Sequence, residues 1–189
     1  MRFHLVGVLA LTATLSGCVI ATPPLKAQAG VGARLGQRGG AIARASAGAH
    51  LASVWANAPV DVGIGVVTET ATGDENDSSG YYVEAAARVQ SGNPGQLWVG
   101  GHWEQTLLDD RPADAFSVRL DWQAATSMCN GSGGGGGSSF IGGAVCGALG
   151  TGYFVEGGAR WMDGAMHDSF VLVGTMVRLP FIFGAALFR

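Results

Sequence analysis

The sequence has little charge and no surplus of basic residues. Charged residues make up 13% of its 189 residues and the net charge is −3, whereas an ordinary soluble domain is about a quarter charged. A chain without a basic surface lacks the electrostatic footprint of a nucleic-acid partner. Beyond residue 17 it also lacks an apolar run of about eighteen residues, so no transmembrane helix is expected. This composition, with 32 glycines, leaves a transmembrane β-barrel as a candidate.

An export signal occupies the first residues. Arg2 precedes an apolar run from Leu5 to Leu15, which is too short to cross a bilayer core of about 30 Å as a helix. Leu15-Ser16-Gly17-Cys18 resembles the lipobox of bacterial lipoproteins. The resemblance implies cleavage of residues 1–17, attachment of lipid to Cys18, and anchoring in the bacterial outer membrane with membrane lipid as the partner. An ordinary secretory signal cleaved after Ala29 is the alternative interpretation.

Cysteine is otherwise scarce. If Cys18 carries lipid, Cys129 and Cys146 remain in an exported, oxidising setting, where a disulfide is the default expectation. Two cysteines without a companion pair of histidines make a poor zinc site, so we expect no metal and no cofactor. The glycine-rich segment 125–150 is therefore predicted to be a loop that this disulfide closes.

The rest of the chain divides into a tether and one barrel domain. Residues 18–29 contain two adjacent prolines and few large apolar side chains, which is typical of a linker. Residues 30–189 show apolar and polar residues in alternation, interrupted by turn residues, as expected of β-strands. Longer acidic loops are predicted at 70–80 and 107–114.

We predict an all-β fold, an eight-stranded antiparallel up-and-down β-barrel. Even strand numbers are the rule for single-chain bacterial barrels, and residues 181–189 are a candidate ninth strand. The eight predicted strands are residues 30–38, 42–55, 60–67, 81–90, 96–104, 116–123, 153–161 and 170–178.

Aromatic residues are expected at both ends of the strands, on the apolar face. Such rings favour the two interfaces of a membrane, where they form girdles around an outer-membrane barrel. A soluble core would place its bulky rings near the middle of its strands. The predicted girdle residues are Trp55, Trp103, Trp122 and Trp161 at strand ends and Tyr81, Phe116, Tyr153 and Phe170 at strand starts.

The polar face carries charges of both signs. Buried charges persist only when they are paired and hydrogen-bonded, so a narrow lumen would hold them as an ion network. A solvated mixed-charge surface on a soluble barrel is the alternative. The candidate network comprises Glu84, Arg88, Glu104, Arg119, Asp121, Glu156 and Arg160, with Arg34, Arg44, Arg178, Asp61 and Glu69 on the same face.

With these features the chain resembles the small eight-stranded outer-membrane barrels, such as the OmpA transmembrane domain and OmpX. The resemblance is one of architecture and covers residues 30–189. It implies a lumen that side chains fill, and hence a structural or surface-interaction role without a general pore.

Catalytic signals are sparse, so we expect no enzyme. The glycine run at 133–137 is not followed by the Lys-Ser/Thr of a phosphate loop. His102 and Glu104 share a strand face, which keeps a lipid-modifying barrel enzyme as one alternative. A lipid-tethered soluble barrel that binds a small apolar ligand in the periplasm is the other. No residue pattern identifies a ligand or a protein partner.

Overall fold

The fold is described by a computed structural model, in which β-strands dominate. The described residues are 18–22, 24–36, 39–54, 58–72, 77–92, 95–108, 111–127, 148–180 and 182–186. The strands are β1 Cys18–Thr22, β2 Leu25–Leu35, β3 Gly40–His50, β4 Val60–Ala71, β5 Ser78–Ser91, β6 Gln96–Leu108, β7 Arg111–Ser127, β8 Ala148–Met162, β9 Ala165–Leu179 and β10 Ile182–Ala186, and the short helix α1 is Leu51–Val54.

Strands β2 to β9 close a barrel in chain order, with β9 pairing back onto β2. Every neighbouring pair is antiparallel. The predicted all-β, eight-stranded, up-and-down barrel is therefore confirmed. Alternation produces this architecture because successive side chains of a strand point to opposite faces, which here are the lumen and the outer wall. No described helix is long and apolar enough to cross a membrane.

The first barrel strand begins at Leu25, five residues before the predicted start at Gly30. Lys26 and Gln28 are buried in the lumen, whereas Ala27 and Ala29 point outward. Residues 25–29 are thus a strand rather than part of the predicted tether. The alternation was missed because alanine contributes a weak apolar signal and two prolines stand immediately before it.

A two-stranded ribbon continues the pairing of β2 with β9. Leu25 pairs with Leu179 in the barrel, and Thr22 pairs with Ile182 in the ribbon of β1 and β10, which keeps one register. That register sets Pro24 opposite Pro180. Neither proline has an N–H to donate, so the ladder is interrupted at this level. The candidate ninth strand is therefore β10, which lies outside the barrel.

The connections differ between the two rims. At the distal rim, where β2 ends, β6 and β7 are separated by two residues and so are β8 and β9. The predicted loop at 107–114 is wrong, because Leu107 pairs with Pro112 and extends both strands. At the terminal rim, where β2 begins, twenty residues separate β7 from β8.

Helix α1 and Trp98 lie at the terminal rim. The predicted strand 42–55 ends at His50, and α1 follows it. Ala52 and Ala58 are buried against Trp98. The helix also contacts β8, which stands across the barrel from β4, so this connection covers the mouth of the lumen.

Candidate functional site

The lumen holds most of the buried polar side chains. Barrel positions that alternate toward the inside contribute Lys26 with 0% exposure, Arg160 with 1% and Glu84 with 1%. The described residues include 21 buried polar or charged side chains and 24 exposed large apolar ones, so the barrel inverts the usual arrangement of a soluble protein.

Near the distal rim, Glu69 is surrounded by arginines. Its carboxylate accepts hydrogen bonds from Arg34, Arg44 and Arg160, each at 2.8 Å. Asp168 lies 3.6 Å from Arg34 and 3.9 Å from Arg160. These groups come from β2, β3, β4, β8 and β9, so the cluster links strands on several sides of the lumen.

The middle of the lumen is organised around the only lysine of the sequence. Lys26 donates hydrogen bonds to Glu84 at 2.5 Å and to Asp121 at 2.9 Å. Arg119 donates to Asp121 and to the side chain of Gln28. Each buried charge in this layer has an opposite charge beside it, as burial requires.

Arg44 joins the middle layer to the distal cluster. Besides its contact with Glu69, its guanidinium lies 3.0 Å from Glu104 and 2.8 Å from Glu156. Ser117 donates a hydrogen bond of 2.7 Å to Glu156. An arginine can serve several carboxylates because its planar fork presents five N–H donors.

At the terminal rim, Asp61 connects the network to α1. It accepts hydrogen bonds from Arg178 at 2.6 Å and from the backbone N–H of Ala52 at 2.9 Å. His50 lies 3.1 Å from the same carboxylate. The side chain that pairs with Arg178 therefore also positions the first residues of α1.

Aromatic rings fill much of the remaining lumen, and glycines make room for them. A Cβ on Gly65 would stand 2.7 Å from the ring of Tyr82, and one on Gly30 would stand 2.8 Å from Phe154. A gap beside Trp98 is too small to hold a water molecule. The described part of the lumen is thus a packed interior rather than a water-filled channel.

Phe170 belongs to this interior, which corrects its assignment to the outer girdle. It is 2% exposed, and the guanidinium of Arg44 lies 4.5 Å from its ring centre. Phe170 and Arg178 are eight residues apart on one strand, so they share a face, and Arg178 faces the lumen. Gly158 lies against the Phe170 ring.

The outer wall is apolar, with exposures of 61% for Val66 and 56% for Val118. Its described aromatic rings lie at two levels on β5 to β8. Near the terminal rim, Trp122 stacks on Tyr153 with ring centres 6.3 Å apart. Near the distal rim are Tyr81, Trp103, Phe116 and Trp161. Trp55 lies outside the described residues.

Two groups of carboxylates and histidines have the spacing of a metal site. They are His50 with Asp61 and Glu84, and His102 with Glu104 and Glu156. Cationic side chains already occupy both places: Lys26 and Arg178 contact the first group and Arg44 contacts the second. The arrangement therefore fits ion pairs rather than a metal ion.

The structure brings six of the seven candidate network residues together in the buried lumen: Glu84, Glu104, Arg119, Asp121, Glu156 and Arg160. The seventh, Arg88, is half-buried toward the terminal rim, 5.8 Å from the Trp98 ring. Cys18 lies in β1, and Cys129 and Cys146 lie outside the described residues. Sequence reasoning missed Lys26, Gln28, Ser117 and Asp168, of which the first two were assigned to the tether.

Comparison with known proteins identifies no family. No protein-family model matches the chain, and no curated protein matches it. Among solved structures, the chain is similar to the solution NMR structure of the de novo designed TMB2.3. The two are 11% identical, the match covers 82% of this chain and 94% of that chain, and the TM-score is 0.39.

Proposed function

We propose that this protein is an integral β-barrel of the bacterial outer membrane. The observation that carries the proposal is the outer wall, whose exposed side chains are mainly apolar, while most charges of the strands are buried inside. Water would penalise such a continuous apolar surface, whereas lipid tails would solvate it. The two levels of aromatic rings match the two interfaces of a bilayer.

Its role is structural or one of surface interaction, without a general pore. The lumen is occupied by ion pairs and aromatic side chains, and α1 covers its terminal mouth. Eight-stranded barrels are narrow enough for side chains to fill them. Solute passage would therefore need the buried network to break.

A lipid on Cys18 would be a second attachment to the same membrane. The lipobox supports this anchor, and each buried methylene of an acyl chain contributes about 0.8 kcal/mol. The membrane lipid that surrounds the barrel is the partner we propose.

A soluble barrel that binds an apolar ligand receives less support. Such a protein needs an apolar cavity inside, whereas charged groups and packed rings occupy this lumen. The lipid-modifying enzyme receives less support as well, because His102 is 1% exposed and its ring is stacked on Tyr82 inside the lumen. That the chain is not an enzyme stays a prediction.

Membrane insertion is tested by replacing the proposed lipid anchor with Cys18→Ala. To keep export unchanged, the variant carries an ordinary cleavable signal peptide. We expect it to remain in the membrane fraction after carbonate extraction and to migrate faster in gels when unheated. Release of a soluble, folded protein would contradict the membrane barrel.

The lipid anchor has its own test, because Lys26 is the only lysine and is fully buried. The lipobox resemblance also implies that the α-amine of Cys18 is acylated, so that the folded mature protein would expose no primary amine. An amine-reactive ester should leave it unlabelled, and unfolding in denaturant should add one label, at Lys26. Labelling of an N-terminal peptide in the folded protein would contradict N-acylation.

A further inference from the structure

His102 has carboxylates next to both of its ring nitrogens. Its Nε2 lies 3.1 Å from an oxygen of Glu104, and its Nδ1 lies 3.6 Å from an oxygen of Glu84. Neither nitrogen makes a hydrogen bond within the described residues, so both carboxylates are ion-pair neighbours of the ring. The ring stacks on Tyr82 with centres 4.7 Å apart and is 1% exposed.

A neutral imidazole has one N–H donor and one acceptor nitrogen. An ionised carboxylate only accepts, so a neutral His102 would turn a lone pair toward one of its two neighbours. Each carboxylate also contacts a cation that favours its ionised form: Lys26 contacts Glu84, and Arg44 contacts Glu104. Both carboxylates therefore remain hydrogen-bond acceptors, and an N–H group must face each of them. The imidazole ring must then carry both protons.

We propose that His102 is a buried proton-binding site: its ring carries both protons in the folded barrel, and the protein takes up a proton when it folds at neutral or mildly alkaline pH. The inference does not depend on the membrane, since it rests on contacts inside the lumen.

His50 provides an internal contrast. Its Nδ1 lies 3.1 Å from Asp61, but its Nε2 lies 3.0 Å from the hydroxyl of Tyr82. A hydroxyl can donate as well as accept. A neutral His50 therefore satisfies both neighbours, by donating to Asp61 and accepting from Tyr82. The contacts of His50 are thus met with one ring proton, whereas those of His102 require two.

The count of buried charges agrees with this assignment. Among the described residues, the cations are Lys26, Arg34, Arg44, Arg119, Arg160 and Arg178, and the carboxylates are Asp61, Glu69, Glu84, Glu104, Asp121, Glu156 and Asp168. Six positive groups face seven negative ones. A protonated His102 supplies the missing positive charge in the middle of the lumen.

Arg88 does not supply that charge at the same place. It is half-buried beside Trp98 and lies four residues beyond Glu84 on β5. At about 3.3 Å per residue, this separation is about 13 Å. The titratable and charged groups around His102 are Glu84 and Tyr82 from β5, Glu104 from β6, Arg119 from β7, Glu156 from β8, Arg44 from β3 and Lys26 from β2.

The proposal predicts how stability changes with pH. In the unfolded chain a histidine loses its proton near pH 6.5, so above that pH the folded state holds one more proton than the unfolded state. Stability then falls as pH rises, and the unfolding equilibrium constant increases about tenfold per pH unit while His102 keeps its proton. Below pH 6.5 both states are protonated and this contribution is fully present.

The direct experiment is nitrogen NMR of the histidine rings in the purified mature protein, which lacks His4, in detergent micelles at pH 8. We expect one ring with two similar nitrogen shifts, the signature of an imidazolium, and assign it with His102→Gln. A neutral signature for His102 at pH 8 would overturn the proposal. If His102→Gln does not fold, His50→Gln and His167→Gln assign the remaining ring by elimination.

Stability provides the second measurement. Urea unfolding between pH 7 and 8 should show the tenfold change in the wild type and in His50→Gln, and little change in His102→Gln. The same pH dependence in His102→Gln as in the wild type would also overturn the proposal, because the proton would then bind elsewhere.

Discussion

The inner and outer walls of this barrel are built by the same strands and differ in every physical respect. Inside, Glu69 is 3% exposed and has three arginines within hydrogen-bonding distance. Outside, one residue earlier or later on the same strand, are Thr68 and Thr70, which face away from that cluster. Inner positions depend on specific partners, whereas outer positions depend on the solvent around them. The effect of a substitution on stability should therefore depend on whether the residue lies on the inner or the outer wall.

The largest effect is expected from breaking the Glu69 cluster. Glu69→Gln leaves Arg34, Arg44 and Arg160 without their shared negative charge, and removal of one partner from a buried ion pair costs about 3–5 kcal/mol. Urea unfolding in detergent micelles measures the change. The matched control is Thr68→Val on the outer wall of the same strand, for which we expect little change. Equal losses in both variants would contradict the contrast between the walls.

A charge placed on the outer wall should cost almost as much, but only in a membrane. Val118 is 56% exposed in the middle of β7, and Val118→Arg should destabilise the barrel by about 2–4 kcal/mol near the bilayer midplane. The control is Leu107→Arg near the distal rim, where about 0–1 kcal/mol is expected. Folding titrations in lipid vesicles provide the comparison, and an absence of depth dependence would speak against bilayer insertion.

Two adjacent glycines, one on each face of β8, compare how tightly the inner and outer walls are packed. A Cβ on Gly158 would lie 2.5 Å from the carbonyl oxygen of Phe116 and 2.8 Å from the Phe170 ring, whereas on Gly157 its nearest contact is 3.9 Å away. Gly158→Ala should cost about 1–3 kcal/mol, as overpacking does. Gly157→Ala should change stability by less than about 0.5 kcal/mol. A larger loss of stability in Gly157→Ala than in Gly158→Ala would contradict the assignment of Gly158 to the inner face and Gly157 to the outer face.

The smallest effect is expected for an ion pair outside the lumen. Arg111 and Asp163 pair at the distal rim with their side chains 57% and 59% exposed. Exposed pairs contribute about 0–1 kcal/mol because water and salt screen them. Arg111→Gln should therefore lower the unfolding free energy by at most about 1 kcal/mol. A loss as large as that of Glu69→Gln would show that burial does not decide the strength of these pairs.

The strands could be predicted from sequence because alternation is a local signal. The predicted strands from Val60 to Trp161 place their charges on one face and mainly apolar residues on the other, so strand number and facing are readable without knowing the partners. The first strand was shortened because Ala27 and Ala29 give little contrast with Lys26 and Gln28. The turn between β6 and β7 was lengthened because adjacent acidic residues suggested a loop where only two residues connect the strands.

The partners within the lumen could not be predicted in the same way. Arg44 contacts Glu156, 112 residues later in the chain, and such a contact depends on barrel closure and on the level of each side chain along the axis. The lumenal position of Phe170 follows from its parity with Arg178, but the room for its ring comes from Gly158 on the neighbouring strand. Alternation predicts the face on which a residue lies, whereas its contacts are determined only when the barrel is closed.

The central claim is that lipid contacts the outer wall and does not reach the lumen. Tryptophan emission in vesicles of brominated lipid tests it directly, because bromine quenches only the rings it approaches. Trp122 faces outward, whereas Trp98 is 2% exposed inside. The account predicts that brominated lipid quenches Trp122 and leaves Trp98 unquenched. The quenched fraction of the total emission should therefore rise in Trp98→Phe and fall in Trp122→Phe. Loss of quenchable emission in Trp98→Phe, or no quenching in the wild type, would contradict it.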